Sequence, residues 1–364
     1  MIPRFFTHLR PAAPTDGRRR QSPAASTLEV AKGGAPPRRR RWRATRAPQG
    51  ERAPRTRTRT RRARQASAFY LFVAPWLLGF IALGVVPIVL GLLMSFTNYD
   101  GFNVDTMRWV GAANYRRAVH DPGAWDALRR TFLFLVVGVP ATVVLQLVLA
   151  FLLHQVVHFK GAFRMVFYLP SVVPIVASAW VWKVVADQDG LMNHLIGVAG
   201  RSTHIAWLVD HPTTVLLMLV LWAWAGSGML IFLAGLQAIP TELREAAALD
   251  GANRFQIARK IMLPLLTPAV FFQLVMTLFL AFQVLVEPLL LSPGVNGLNS
   301  TPPEENNFFV VNAFREVFAG QRFGYGAALL WILFAIAFLT TLVVFASGRL
   351  WVYREQPAPE RRRR

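Results

Sequence analysis

Residues able to handle nucleotides or covalent chemistry are scarce in this chain. It has only four lysines, Lys32, Lys160, Lys183 and Lys260, and none follows a glycine. A phosphate-cradling loop needs Gly-Lys-Ser/Thr so that backbone N–H groups and an ammonium converge on the phosphates, so the chain encodes no such site. No Gly-x-Ser-x-Gly turn presents a serine nucleophile. His154 and His158, in HQVVH, stand one helical turn apart and have the spacing of a metal pair. A zinc protease would need Glu where Gln155 stands, and the alternative is two interfacial histidines. Cys is absent, which excludes disulfides and thiolate-held metals. The expectation is a chain with no catalytic residue, metal or cofactor, whose polar residues bind and position instead.

Two sets of polar residues stand out against apolar surroundings. In WAWAGSG, Trp222 and Trp224 lie beside Gly226, Ser227 and Gly228, while Gln273 and Gln283 lie ten residues apart in a later apolar run, with Glu287 near its end. Aromatic faces plus amides suit the stacking face and hydroxyl rim of a sugar ring. Close helix packing is the competing explanation, because small residues let backbones approach and Gln bonds across helices in lipid. The second set is ELREAAALDGANRFQIARKIMLPLLTP, Glu242 to Pro268, where charges interrupt the grease every few residues. Thr241 is a plausible N-cap after Pro240, and Glu242 and Glu245 fall in the first turns, where the helix dipole favours anions. Gly251 supplies the left-handed residue that stops this first arm. A second arm from about Asn253 carries Phe255, Ala258 and Met262 on one stripe, and Pro264 is expected at the turn into the next apolar run. Ala246, Ala247 and Ala248 permit close approach of a partner's backbone.

These residues need elements to hold them, and the composition says which. The chain has 364 residues, is 54% hydrophobic and carries a formal charge of +21. Residues 1–67 hold 19 of the 40 Lys+Arg and three acids, Asp16, Glu29 and Glu51, and so carry most of that charge. Such a segment cannot bury enough apolar surface to fold, and is expected to be a disordered basic tail. Its Arg runs, PPRRRRWR and RTRTRTRRAR, fit anionic headgroups beside a membrane better than nucleic acid. It is too long for the n-region of a cleavable signal. Six apolar stretches follow, each near the roughly 20 residues that a helix needs to cross a bilayer: 68–96, 131–157, 165–182, 213–237, 261–286 and 323–348. The expected fold is an all-α integral membrane protein of six transmembrane helices in residues 68–353, with a basic tail 354–364 behind them. Even parity puts both termini on one side. Counting the tail only from residue 50, the segments on that side hold 19 Lys/Arg and the loops 97–130, 187–212 and 293–322 hold 8, which makes the termini and the charged elbow cytoplasmic. The first of those loops, rich in Trp and Tyr, suggests a short amphipathic helix, and 293–322 reads as turn-rich. No internal repeat is visible.

Glu245-Ala246-Ala247, then Asp250 and Gly251, then Ile261, Leu263 and Pro264 resemble the EAA signature of ATP-binding-cassette (ABC) importer permeases. SFTNYDGF, VGAANYRRAVHDPGAWDALRRT, FYLPSVVPIVASAWVWK and QAIPTELREAAALDGA are similar to the carbohydrate-uptake branch, the maltose- and glycerol-phosphate-type permeases. The likeness covers about residues 68–353 and not the tail. After the fifth stretch that branch often has a Gly-rich turn, where this chain reads SPGVNGLNSTPPEENN. The resemblance implies the type I importer permease fold, with residues 238–264 as a coupling loop whose first arm sits in a cleft of a separate ABC ATPase subunit. Glu245 would then pair with a basic residue of that subunit, and Gly251 would set the angle between the arms. It further implies a second homologous permease as heterodimer partner, an extracytoplasmic solute-binding protein on the outer loops, and a location in the bacterial cytoplasmic membrane. Trp222, Trp224, Ser227, Gln273 and Gln283 become candidates for the translocation path. The alternative is a secondary transporter driven by an ion gradient, which generally wants intramembrane carboxylates or His; the five cleanest stretches hold no carboxylate, and their one His, His154, lies near an end.

Overall fold

The computed structural model describes residues 69–155, 159–198, 204–293 and 300–353. The expectations for the tail 1–67, the C-terminal 354–364 and His158 fall outside these residues. Among the described residues the regular structure is helical, with one isolated bridge pairing Thr97 with Trp109. In order come α1 (Phe69–Met94), α2 (Ala113–His120), α3 (Pro122–Gln155), α4 (Lys160–Val172), α5 (Ile175–Val185), α6 (Leu191–Val198), α7 (Trp207–Asp210), α8 (Pro212–Ala238), α9 (Thr241–Leu249), α10 (Arg254–Ala281), α11 (Val286–Leu291), α12 (Phe309–Phe318) and α13 (Phe323–Trp351). Five of these, α1, α3, α8, α10 and α13, are apolar enough and, at 26 to 34 residues, long enough to cross a membrane.

The third expected span, 165–182, is not one helix. It is split into α4 and α5, which meet at 100°. Pro174 is responsible: it has no N–H to donate, and it pushes the residue before it out of the α region. Val173 accordingly lies at φ −68°, ψ 129°. With 13 and 11 residues, the two pieces rise only roughly 20 and 17 Å, so neither alone crosses a hydrocarbon core of about 30 Å. Counted as one bent crossing, the pair brings the spans to six.

The bundle is built around α3, α8 and α10. At one end Phe134, Leu135, Leu216, Leu219, Leu278 and Leu289 pack with Phe308, Phe309 and Leu329. At the other, Leu153, Met229, Phe232, Leu236, Met262 and Leu266 form a second cluster beneath the elbow. Between them the same three helices turn polar or small, at Thr142 and Gln146, at Trp224 to Gly228, and at Gln273 and Thr277. Glycine makes the close approaches possible here: a Cβ on Gly226 would overlap the Phe167 carbonyl oxygen and sit 2.6 Å from Tyr168 Cα, so α4 rests directly on α8. Lipid supplies no hydrophobic drive between helices, and such contact has to come from small residues. α1 packs against α13 and buries none of its apolar window.

The end away from the elbow is tied by polar contacts. Asn114 Nδ2 donates to the carbonyls of Ser95 and Thr97 at 2.9 and 2.8 Å, which fixes the amphipathic α2 across the end of α1. Tyr325 donates to Asp121 Oδ2 at 2.6 Å, with the Arg117 guanidinium over its ring. The Asp100 carboxylate accepts from the N–H groups of Asn103 and Phe102, which hold its pKa below the ordinary value. Loop 293–322, expected to be turn-rich, instead contains α12, packed on α13. Phe309 and Ala313, four residues apart, face inward, a helical spacing masked in the sequence by the preceding Asn and Pro residues.

Candidate functional site: the elbow between α8 and α10

α8 ends at Ala238 because Pro240 cannot continue it, and the chain turns into α9. Pro240 itself occupies the N-cap, with no side-chain cap, and Thr241 is the first helical residue rather than the cap. Glu242 still lies in the first turn, where the helix dipole favours an anion. Asp250 closes α9, and Gly251 follows at φ 83°. The Gly251 and Ala252 N–H groups donate back to the Ala248 and Ala247 carbonyls at 3.1 and 3.0 Å, the double bond of a Schellman stop. Asn253 then caps the second arm: it accepts from Gln256 N–H while Gln256 Oε1 accepts from Asn253 N–H, both at 2.8 Å. Replacing Gly251 by Val forces a β-branched residue into the left-handed region, at roughly 1–2 kcal/mol. Amide exchange across Thr241–Leu249 is then expected to speed up by about tenfold, measured by deuterium uptake.

The second arm differs from the sequence reading in two respects. Pro264 is not at a turn, because α10 runs unbroken from Arg254 to Ala281. A π-helical turn, Ala258–Met262, widens the backbone just ahead of the proline, and Leu263 N–H bonds back to Ala258 O. That wider turn absorbs the missing donor and the ring. It also shifts the buried stripe: Ile257, Met262 and Leu266 face the bundle, while Phe255 is exposed.

α9 has two faces. Arg244 and Ala247 turn toward the bundle, and Arg244 donates from Nη1 to His154 Nε2 at 2.9 Å. Glu245, Ala246 and Asp250 are exposed, beside bare Leu243 and Leu249. Folding brings the two halves of the motif together: Asp250, Gly251 and Ile261 line one cleft with Gln256 and Lys260. Leu263 is half-buried and Pro264 exposed.

The candidates within the bundle are not gathered in this way. Trp222 meets Trp182 edge-on at 6.3 Å, and Trp224 packs on the core. Ser227 and Gln283 are exposed; Ser227 donates to the Trp224 carbonyl of its own helix, and Gln283, two residues past the end of α10, donates back to the Phe279 carbonyl. Gln273 is buried, its Nε2 3.4 Å from Thr277 Oγ1 and its Oε1 without a partner. The sequence reading passed over Gln146, which is 1% exposed, lies against Gly228 and donates to Trp224 O at 2.8 Å. Its signal was a lone amide in an apolar run, TVVLQLVLAF, but its partner is a backbone carbonyl that no spacing reveals. Glu287, expected at a span's end, is buried in α11. Among the described residues no cluster of three or more His, Cys, Asp or Glu could hold a metal.

Residues 117–353 match the family model described as binding-protein-dependent transport system inner membrane component. The chain is 36% identical over 293 residues to the probable ABC transporter permease protein YesP of Bacillus subtilis, covering 79% of this chain and 92% of that protein. It is 30% identical over 289 residues to the arabinooligosaccharides transport system permease protein AraP of the same species, covering 76% and 87%. The trehalose/maltose transport system permease protein MalF of Thermococcus litoralis is 29% identical over 290 residues, covering 79% and 95%. In fold it resembles a chain of a bacterial ABC transporter involved in the import of alginate, with a TM-score of 0.67, 20% identity, and coverage of 80% and 98%. An all-helical bundle of five spans and one bent pair, carrying a capped two-arm elbow and matched along most of its length, belongs to the binding-protein-dependent transport system inner membrane components: it is a membrane permease of a binding-protein-dependent ABC importer.

Proposed function

We propose that this permease is one of two homologous subunits forming a path for a sugar or sugar-like solute, driven by a separate ABC ATPase gripping α9. The carrying observation is the outward face of the elbow. Leu243, Leu249 and Phe255 are 45, 89 and 72% exposed beside Glu245, on a segment held by a Schellman stop, a capping box and the Arg244–His154 bond. A rigid element with bare apolar side chains around a carboxylate suits a docking contact. The continuous α10 makes it a lever as well, since displacement at Arg254 carries along 28 residues into the bundle. The sugar class is supported by relatives named for arabinooligosaccharides and for trehalose and maltose, and by the alginate transporter's complex with a periplasmic protein bound to an alginate pentasaccharide.

In this reading the elbow and both termini are cytoplasmic, and the solute-binding protein docks on the opposite end, around α2 and the 300–322 segment. The polar belt of Gln146, Trp224 and Gln273 separates the two apolar clusters and is where the path would open as the subunits move. The basic tail 1–67 and the short tail 354–364 lie outside the permease domain, and membrane lipid, not nucleic acid, is their partner.

The test is co-purification. Leu249→Asp places a charge on the docking face and is expected to release the ATPase from an otherwise intact membrane complex, while full retention of the ATPase would refute the assignment. Uptake by this chain alone under a proton or sodium gradient would favour a secondary transporter instead. The isolated chain is expected to hydrolyse no ATP. Deleting residues 1–60 is expected to leave uptake within about twofold of wild type, since they precede the part of the chain that matches the permease family.

A further inference from the structure

Beneath the elbow, between the last turn of α3 and the two arms, lies a cavity of about 440 Å³. Arg244 and Arg254 line it, with Phe151, Ala258 and Met262 as apolar walls and Glu245 as its single acid. Neither arginine has an ion pair among the described residues, and Glu245, exposed at the rim of the same lining, bridges to neither. Arg244 is short of acceptors. Of its five N–H donors, one reaches His154 and its buried Nε has no partner. Because Arg only donates, His154 Nε2 accepts, and this bond keeps the guanidinium at the cavity rather than in solvent.

We infer that this cavity binds the phosphate of an anionic phospholipid. The inference rests on the reading that the elbow lies at the cytoplasmic membrane surface, where such headgroups are found. Two guanidinium groups match the two non-bridging oxygens of a phosphodiester, and with Glu245 in the lining they leave one net positive charge for its single negative one. The apolar walls lie where two spans begin and end, which suits the glycerol and first methylenes of a lipid; a free phosphate would leave them unused.

The experiment is native mass spectrometry of the full-length chain titrated with phosphatidylglycerol or phosphatidylcholine. Wild type is expected to retain one phosphatidylglycerol about tenfold more tightly than phosphatidylcholine, in keeping with charge-assisted hydrogen bonds. Arg244→Gln is expected to remove that preference and leave phosphatidylcholine binding unchanged. The basic tail is the same in both proteins, so the difference reports on the cavity. If Arg244→Gln does not fold, the exposed Arg254→Gln serves in its place, with a partial loss expected. Equal preference in wild type and variants overturns the site, and displacement of phosphatidylglycerol by inorganic phosphate in excess overturns the lipid in favour of a soluble anion. The two readings fail separately: a wild type that binds the ATPase but shows no phosphatidylglycerol preference refutes only the lipid site, and a wild type that shows the preference but binds no ATPase refutes only the coupling role.

Discussion

With Glu245 replaced by Ala, the permease is expected to fold and insert normally, yet ATP-driven uptake by the assembled transporter falls about 30-fold or more. The two halves of that expectation have different physical origins. Glu245 is exposed and makes no ion pair among the described residues, so its removal costs the isolated subunit little. In the complex the same carboxylate would be buried against a basic partner. Truncating one member of such a pair typically costs 2–5 kcal/mol, and each 1.4 kcal/mol is tenfold in affinity. The check is uptake into proteoliposomes together with recovery of the ATPase on the purified membrane subunits. Glu242→Ala is the control: it is also exposed and acidic, but its role within the chain is a helix-dipole contribution of about 0.3–1 kcal/mol. Unchanged uptake by the Glu245 variant, or an equal loss in both, would defeat the coupling assignment of that residue.

The second large effect lies in the bundle. Gly226→Leu is expected to separate α4 from α8 and to yield a protein that melts well below wild type or fails to purify as a single species. A Cβ at Gly226 meets backbone, the Phe167 carbonyl and Tyr168 Cα, which cannot swing aside as a side chain can. Overpacking a well-fitted interior usually costs about 1–3 kcal/mol, and backbone contact puts this site at the upper end. Gly235→Ala is the graded comparison, because its added Cβ meets the end of the Leu266 side chain at 2.6 Å, which has rotamers to use. Thermal unfolding in detergent should rank wild type above Gly235→Ala and both above Gly226→Leu. Equal melting of wild type and Gly226→Leu would show that α4 does not rest on α8 in this way. Because α4 is the first half of the bent pair, the same substitution displaces the whole broken crossing.

Much of this protein was legible before folding. Apolar runs fix where helices cross lipid, because each backbone polar group there must be satisfied within its own segment. The first arm of the elbow and its stop were legible too, since Pro240 and Gly251 act within a few residues of themselves and need no tertiary partner. The three-dimensional arrangement decided what depends on distant neighbours. Pro174 could have been tolerated inside a span, as Pro140 is within α3, and only packing made one of them a 100° break. The stripe on the second arm shifted from Phe255 to Ile257 because a π turn ahead of Pro264 changes the helical register, which a fixed period cannot anticipate. Gln146 became a structural centre because Gly228 leaves room for it and Trp224 offers a carbonyl 78 residues away in sequence. Local capping and lipid solvation act on neighbouring residues and can be read along the chain; the fit of one helix on another depends on residues brought together only when the bundle closes.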